Sequence, residues 1–267
     1  MRTSSVDFLQ NIDVVILTYN EEANIARSLD ALVRFPRVVL LDSGSTDGTL
    51  AIAARYSNVR VCTHAFEDFA AQWTHALRHC ELVSPWVLAL DADYVLDAAL
   101  VDRMAALSPS QEVSGYRVGF RYCVHGRALS ASLYPAAVIL YRREGASYTQ
   151  DGHAQRLRVT GSVLALEGRV SHDDRKSFSV WLAAQDRYAR IECRSLREKT
   201  WRELNWRDRV RRLVVVAPWL VPLYCLTVGR GLLDGRAGLF YAMQRAIAET
   251  ILSARLLEAA LSKGAAP

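Results

Sequence analysis

Between residues 12 and 93 short β-branched runs alternate with stretches in which apolar residues recur at helical spacing. The runs at 12–18, 38–42, 59–63 and 86–91 predict strands, and the stretches at 22–33, 46–56 and about 69–80 predict helices. Alternation of this kind predicts βαβ units and a mainly parallel sheet, an α/β fold of Rossmann-like character. Ligands of such sheets bind outside the carboxyl ends of the strands. Three polar clusters fall at such ends: Thr18, Tyr19, Asn20 and Glu21; Asp42 to Asp47; and Asp91, Ala92 and Asp93.

The pattern changes after residue 114. Runs at 115–124, 137–142, 157–160 and 163–166, separated by Gly, Ser and Asp, predict antiparallel strands that form the acceptor side of a cleft. A helix is expected over about 178–199, with Ser177 placed to cap it. Beyond it lie an Arg-rich stretch at 201–212, an uncharged apolar run at 213–229, and an amphipathic helix expected from 238 to about 261. This organisation predicts one domain over 1–200, divided into halves at about residue 110, and a helical region over 201–267. Neither repeats nor a low-complexity linker interrupt it.

A chain of 267 residues, 51% of them hydrophobic, holds enough apolar material for one large core, or for a domain with an appendage. The net charge of +5 is modest but unevenly placed: Arg202, Arg207, Arg209, Arg211 and Arg212 directly precede the apolar run. That arrangement suits an anionic membrane surface better than nucleic acid. The run is short for a bilayer span and is broken by Pro218 and Pro222. An interfacial or re-entrant segment is therefore expected, with a buried core helix as the plainer alternative. Five dispersed cysteines, Cys62, Cys80, Cys123, Cys193 and Cys225, show no zinc-ligand spacing. They fit a reducing, cytoplasmic setting, and no signal peptide is evident at the N-terminus.

Asp91 and Asp93 follow a buried strand, so two carboxylates arrive together at its exposed end. Hard oxygen ligands suit Mg²⁺ or Mn²⁺, and a metal there neutralises a departing diphosphate. Asp42 ends the second strand and opens a Ser/Gly/Thr-rich turn, where a carboxylate can accept hydrogen bonds from a base or ribose. Asp47, in contrast, is spaced first for helix capping. No G-x-G-x-x-G follows the first strand, which argues against a dinucleotide enzyme.

Together Val15 to Glu22, Leu41 to Thr49 and Leu90 to Asp93 resemble the ordered motifs of family 2 inverting glycosyltransferases of the GT-A fold, in particular the bacterial branch that builds lipopolysaccharide and other surface glycans. Leu233 to Leu239 is similar to a C-terminal segment of the lipopolysaccharide core glucosyltransferases. The resemblance implies a nucleotide-sugar donor such as a UDP-sugar, held by Thr18, Tyr19, Asn20, Glu21, Asp42 and Asp91. It implies Mg²⁺ or Mn²⁺ at Asp91 and Asp93, with His172 completing the metal or diphosphate site. The general base it implies is Asp151, with Asp173 and Asp174 as alternatives; Arg156 and Arg175 are candidate phosphate contacts. Two departures are visible: Tyr94 stands where relatives often carry an acid, and the segment from Asp151 to Gln155 lacks their His-Glu pair.

The expected activity is hexosyl transfer to a lipid-linked glycan, with the enzyme peripheral or monotopic on the cytoplasmic face of the inner membrane. Two rivals are a polyprenyl-phosphate glycosyltransferase and a noncatalytic, membrane-associated sugar-nucleotide binder.

Overall fold

A computed structural model of the chain describes residues 7–130, 133–151 and 154–264. In chain order, a 3-10 turn (Phe8–Asn11) leads into β1 (Ile12–Thr18), α1 (Ile25–Asp30), β2 (Val38–Asp42), α2 (Thr49–Ala53) and β3 (Val59–Thr63). There follow α3 (Phe69–His79), β4 (Trp86–Asp91), β5 (Tyr94–Leu96), α4 (Ala98–Ala105), β6 (Val113–Val124) and β7 (Arg127–Ala128). Next come β8 (Ala137–Arg142), β9 (Ser147–Asp151), β10 (Ala154–Arg158) and β11 (Ser162–His172). The remaining helices are α5 (Phe178–Glu198), α6 (Trp206–Arg212), α7 (Ala217–Leu226) and α8 (Gly235–Gly264). Two compact units result, one of Met1–Gly126 with Tyr134–Arg175, the other of Arg127–Leu133 with Lys176–Pro267. Helix α5 thus groups with the C-terminal helices, whereas the sequence pattern carries the first domain to residue 200.

The first unit is built on a sheet of order β3-β2-β1-β4-β8-β6-β11-β5. Its β3-β2-β1-β4 half is parallel, as the βαβ alternation predicts. Strands β1, β2 and β4 are apolar along nearly their whole length because both faces are covered. Val14, Ile16, Val38, Leu40, Leu88 and Leu90 face α1 and α4 in one core. Their neighbours Val15, Val39, Leu41, Val87 and Ala89 face Trp73 and Ala76 of α3 in the other. The two-residue alternation assigns each residue to its layer, and each large side chain so buried contributes about 1.5–3 kcal/mol.

Beyond β4 the sheet becomes mixed: β8 runs antiparallel to β4 and β6. Strand β11 departs from the antiparallel expectation. It runs parallel to β6, antiparallel to β5, and extends well past the run at 163–166. The partner that lengthens it, β5, is supplied by a much earlier segment of the chain, a long-range pairing that local periodicity does not encode.

That pairing requires curvature. In a flat sheet β4 and β5, four strand spacings apart, would be separated by about 19 Å. The chain from Asp91 to Tyr94 reaches about 11 Å at full extension. The sheet therefore curls, and the curl returns the carboxyl end of β11 to the carboxyl end of β4.

In the second unit Ser177 caps α5 as expected, accepting from Val180 N–H at 3.4 Å. Helices α5 and α8 pack through Ala189, Cys193, Leu196, Leu252 and Leu256, joined by Leu204. One arginine of the cluster before α7 is held within this unit: half-buried Arg211 forms an ion pair with Glu249 at 2.8 Å, and Glu192 lies 3.7 Å away. Helix α7 spans ten residues, about 15 Å, half of a bilayer core. No helix among the described residues is long and apolar enough to cross a membrane. Yet α7 and its flanks are strongly exposed apolar surface, with Trp219 at 80% and Leu233 at 79%.

Candidate active site

The parallel register places Thr18 beside Asp42 and Leu17 beside Asp91. Three of the expected clusters therefore share one edge of the sheet. The loops that follow β1 and β2 are braced against each other. Asn20, in the left-handed region at φ 53°, donates its N–H to Ser45 Oγ at 2.9 Å and accepts Thr46 N–H at 2.8 Å through its side-chain carbonyl. Glu21 N–H donates to Thr49 Oγ1 at 2.7 Å, and Glu22 N–H donates to Asp47 Oδ2 at 3.1 Å. Glu22 in turn accepts Gly48 N–H at 3.1 Å.

Asp42 is buried at the centre of this arrangement. Its carboxylate accepts Gly44 N–H and Ser45 N–H on one oxygen, and the Thr18 and Ser45 hydroxyls on the other. A carboxylate offers about four acceptor sites, so in this state all of them shape the turn. Direct contact with a nucleoside requires Ser45 or Thr18 to yield one. Gly44 sits at φ +92°, a conformation that the turn needs and that side chains disfavour. Asp47 has the structural role the spacing implies, although it closes a local turn onto Thr49 N–H at 3.0 Å while Gly48 occupies the N-cap of α2. Tyr19 is half exposed beside these loops, with a ring face available for stacking.

At the neighbouring strand end, Asp91 and Asp93 are half-buried and Ala92 between them is buried. Ala92 and Asp93 form a turn, not the extended geometry expected of them. Helix α1 fixes this turn through Ser28 Oγ, which donates to Ala92 O at 2.6 Å. From the end of β11, His172 Nε2 meets Asp93 Oδ2 at 2.9 Å. Its buried Nδ1 has no hydrogen-bond partner among the described residues. Burial lowers the proton affinity of His172, but the Asp93, Asp91 and Asp174 carboxylates outweigh it, so its pKa is raised. The side chains are of types that fit Mn²⁺, or Mg²⁺ with waters completing its shell, and His172 touches Asp93, but Asp91, Asp93 and His172 do not close on a single point in this structure.

No sequence pattern announces the surroundings of His172. The rings of Tyr94, Tyr122 and Tyr134 lie 4.8–5.2 Å from its own, and the Tyr94 and Tyr134 hydroxyls hydrogen-bond to each other. Burial, reinforced by Asp91, raises the pKa of both phenols, which remain protonated donors. These tyrosines come from separate strands and loops with no shared local pattern.

The base candidates are placed very differently. Asp151 ends β9 at the tip of the β9–β10 hairpin; its side chain and residues 152–153 lie outside the described residues. The hairpin leans on α3 by stacking of Trp73 on Tyr148, and Gln150 Oε1 accepts Ala70 N–H at 3.1 Å. Arg156 pairs across the hairpin from Thr149. Asp173 is a buried clamp. One of its oxygens accepts Arg27 Nη1 at 2.8 Å and Arg175 Nε at 2.9 Å, and the other accepts Gly126 N–H at 3.0 Å. Arg175 thus serves that clamp. Asp174 accepts Asn24 Nδ2 at 2.9 Å.

A fold whose parallel strands end in these braced loops, followed by Asp91, Ala92 and Asp93, has a family counterpart: residues 13–134 match Glycosyl transferase family 2. Over residues 13–134, somewhat less than half of the chain, the sequence thus resembles family 2 glycosyltransferases, the lipopolysaccharide core branch among them, on an α/β fold with a mixed sheet. Among its relatives is the lipopolysaccharide core biosynthesis glycosyltransferase LpsC of Rhizobium meliloti (strain 1021), 35% identical over 115 residues, 41% of this chain and 42% of that one. An uncharacterized glycosyltransferase of Rickettsia felis is 31% identical over 109 residues, 40% of this chain and 38% of its own. The matched segment thus spans about two fifths of these curated relatives. Of solved structures, S. aureus TarS in complex with UDP-GlcNAc aligns over 95% of this chain and 92% of its own, with 16% identity and a TM-score of 0.46. Glucosyl-3-phosphoglycerate synthase of Mycobacterium tuberculosis aligns over 70% and 78%, with 16% identity and a TM-score of 0.44.

Proposed function

We propose that the chain is an inverting glycosyltransferase that moves a hexose from a nucleotide-sugar donor, such as a UDP-sugar, to a lipid-linked glycan in lipopolysaccharide core or other surface-glycan assembly. The observation that carries this reading is the convergence of Asp91, Asp93 and His172 on the strand edge that also holds the Asp42 turn. Mg²⁺ or Mn²⁺ bound there supplies positive charge to the departing diphosphate.

Asp91 and Asp93 are the ligands, and His172, carried in by β11, holds Asp93 in place. Tyr19 stacks on the base, while Thr18, Asn20, Glu21 and Asp42 fix the loops that line the nucleoside. The protonated Tyr94 and Tyr134 support the ligand cluster from beneath. Inversion requires a base on the face opposite the leaving group, within hydrogen-bond reach of the acceptor hydroxyl. Asp151 on the hairpin tip is the first assignment for that role and Asp174 the second. The name of the R. meliloti relative supports the glycan class, and the exposed apolar surface around α7 supports docking on the cytoplasmic face of the inner membrane, where a lipid-linked acceptor resides.

The decisive experiment supplies radiolabelled nucleotide sugars and membrane glycolipids to the full chain with Mg²⁺ or Mn²⁺, beside Asp91→Ala and Asp93→Ala. Metal-dependent transfer should appear in the parent and vanish in both variants, which remain folded. Near-parental turnover in either variant excludes the proposed ligand set. Absence of both donor hydrolysis and transfer, with nucleotide sugar still bound, would favour a noncatalytic binder.

A further inference from the structure

Five soft or borderline metal-ligand side chains fall within nineteen residues of β3 and α3: Cys62, His64, His75, His79 and Cys80. Along the chain the two cysteines look unrelated, because 18 residues separate them. Folding brings them together: Cys62 lies on β3, Cys80 caps the end of α3, and their Cα atoms are 6.0 Å apart in a disulfide pairing. The ligand atoms of Cys62, His75 and Cys80 all lie within 4.8 Å of one another. His75 is flanked by two more imidazoles, stacked on His64 at 3.9 Å between ring centroids and 4.9 Å from His79.

We propose that, with Cys62 and Cys80 reduced, this cluster is a second metal site, distinct from the carboxylate site, and takes a borderline-soft divalent cation of the Zn²⁺ class. Two thiolates and an imidazole are the donors such ions select over Mg²⁺. On ligation each thiol releases its proton to solvent, and His75 binds as the neutral ring. His79 is exposed at the rim and can supply the fourth ligand, as can water.

The site would tie the edge strand β3 to α3, next to the Asp42 turn. His64 N–H donates to Asp42 O at 3.0 Å, and buried Gln72 bonds both His64 O, at 3.1 Å, and Ser43 Oγ, at 2.6 Å. A cation held beside this network therefore braces the floor of the donor loops without touching the reacting groups.

The test uses the full chain reduced by a phosphine, which is converted to its oxide as the disulfide becomes two thiols. All five cysteines should then react with a thiol reagent after denaturation. Co²⁺ serves as the probe. One ion per chain should bind with thiolate-to-metal charge-transfer absorption and be displaced by Zn²⁺. The signal should disappear in the Cys62→Ser/Cys80→Ser double variant and persist in Asp91→Ala. In His75→Gln, a partly exposed position that leaves both thiols in place, affinity should fall about tenfold or more. Charge-transfer absorption that survives in the double variant overturns the assignment. So does a fully reduced, folded parent that shows no thiolate-to-metal charge-transfer absorption with Co²⁺, whatever binds at the carboxylates, which would leave Cys62 and Cys80 as a plain disulfide pair. Should the double variant fail to fold, unchanged Zn²⁺ affinity in His75→Gln overturns it equally.

Discussion

Replacing Asp173 by alanine removes the acceptor at the centre of a four-residue clamp, and the structure sets the size of the effect. The side chain is 7% exposed, and its carboxylate is shared by the guanidinium groups of Arg27 and Arg175, whose side chains are 25% and 42% exposed. Breaking a fully buried pair by deleting one partner costs about 3–5 kcal/mol. Here both arginines can recover part of their solvation, and Arg27 retains Asn24 Oδ1 and Asp173 O as acceptors, each at 2.8 Å. A loss of about 2–3 kcal/mol is therefore expected, and a domain of this size loses roughly 2–4 °C in Tm per kcal/mol, so Tm should fall by about 4–12 °C. Thermal unfolding followed by circular dichroism measures this directly. A double-mutant cycle with Arg27→Ala should return a coupling above about 0.5 kcal/mol. Transfer assayed well below Tm should survive within severalfold in Asp173→Ala, whereas Asp151→Asn should lose roughly a hundredfold or more while retaining donor affinity. An unchanged Tm accompanied by a hundredfold loss of turnover in Asp173→Ala would refute the clamp and make Asp173 the base. Full activity in Asp151→Asn with a dead Asp174→Asn would move that role to Asp174.

Two further outcomes are expected. In liposome sedimentation the full chain should prefer anionic vesicles and retain a salt-resistant fraction; Trp219→Ser/Leu223→Ser should remove that fraction, and unchanged high-salt binding would exclude α7 as the inserting surface. The buried Asp13 carboxylate is opposed by desolvation, yet hydrogen bonds from Ser84, Arg37 and Val83 hold its pKa below 3.8. Its stabilisation is thus present above about 3.8 and lost as pH falls through the lower folded value. The slope of urea midpoint against pH below 4 should flatten in Asp13→Asn; an unaltered slope would assign the acid sensitivity elsewhere.

What the sequence disclosed depended on the range of the interactions involved. Strands β1 to β4 were legible to the residue: β2 and β4 are continuous apolar runs closed by an aspartate, and β1 and β3 are β-branched runs closed by a threonine, each with one charged residue second in line. Helices α1 and α2 are shorter than their periodicity predicts: residues 20–22 and 45–49 give their polar groups to each other across the two loops, and such local bonds compete with the helix. Strand β5 and helix α4, capped by Asp97 accepting Leu100 N–H at 2.7 Å, were missed because three residues of strand leave no readable period. The same limit hid β9, whose residues Ser147 to Asp151 are mostly polar. Asp91, Asp93 and His172 were each singled out from sequence, but the 2.9 Å contact between His172 and Asp93 is a product of the curl. In the arginine cluster, position beside an apolar run suggested a lipid surface for all five residues, and the pairing of Arg211 with Glu249, 38 residues further on, is a long-range contact that no local pattern encodes.

The curl also bears on how the domain can be made and dissected. Residues 13–134 match the family, yet that segment stops before β8, the strand that joins β4 to β6, and before β11, which carries His172. On the ribosome the parallel half emerges first and can collect its helices at once. The edge where Asp93 meets His172 must wait until residue 172 has left the exit tunnel, so nascent chains shorter than this hold Asp93 without its histidine and β4 with an open flank. An expression boundary drawn at the end of the family match would preserve all three N-terminal motifs and still yield a protein whose sheet lacks its middle.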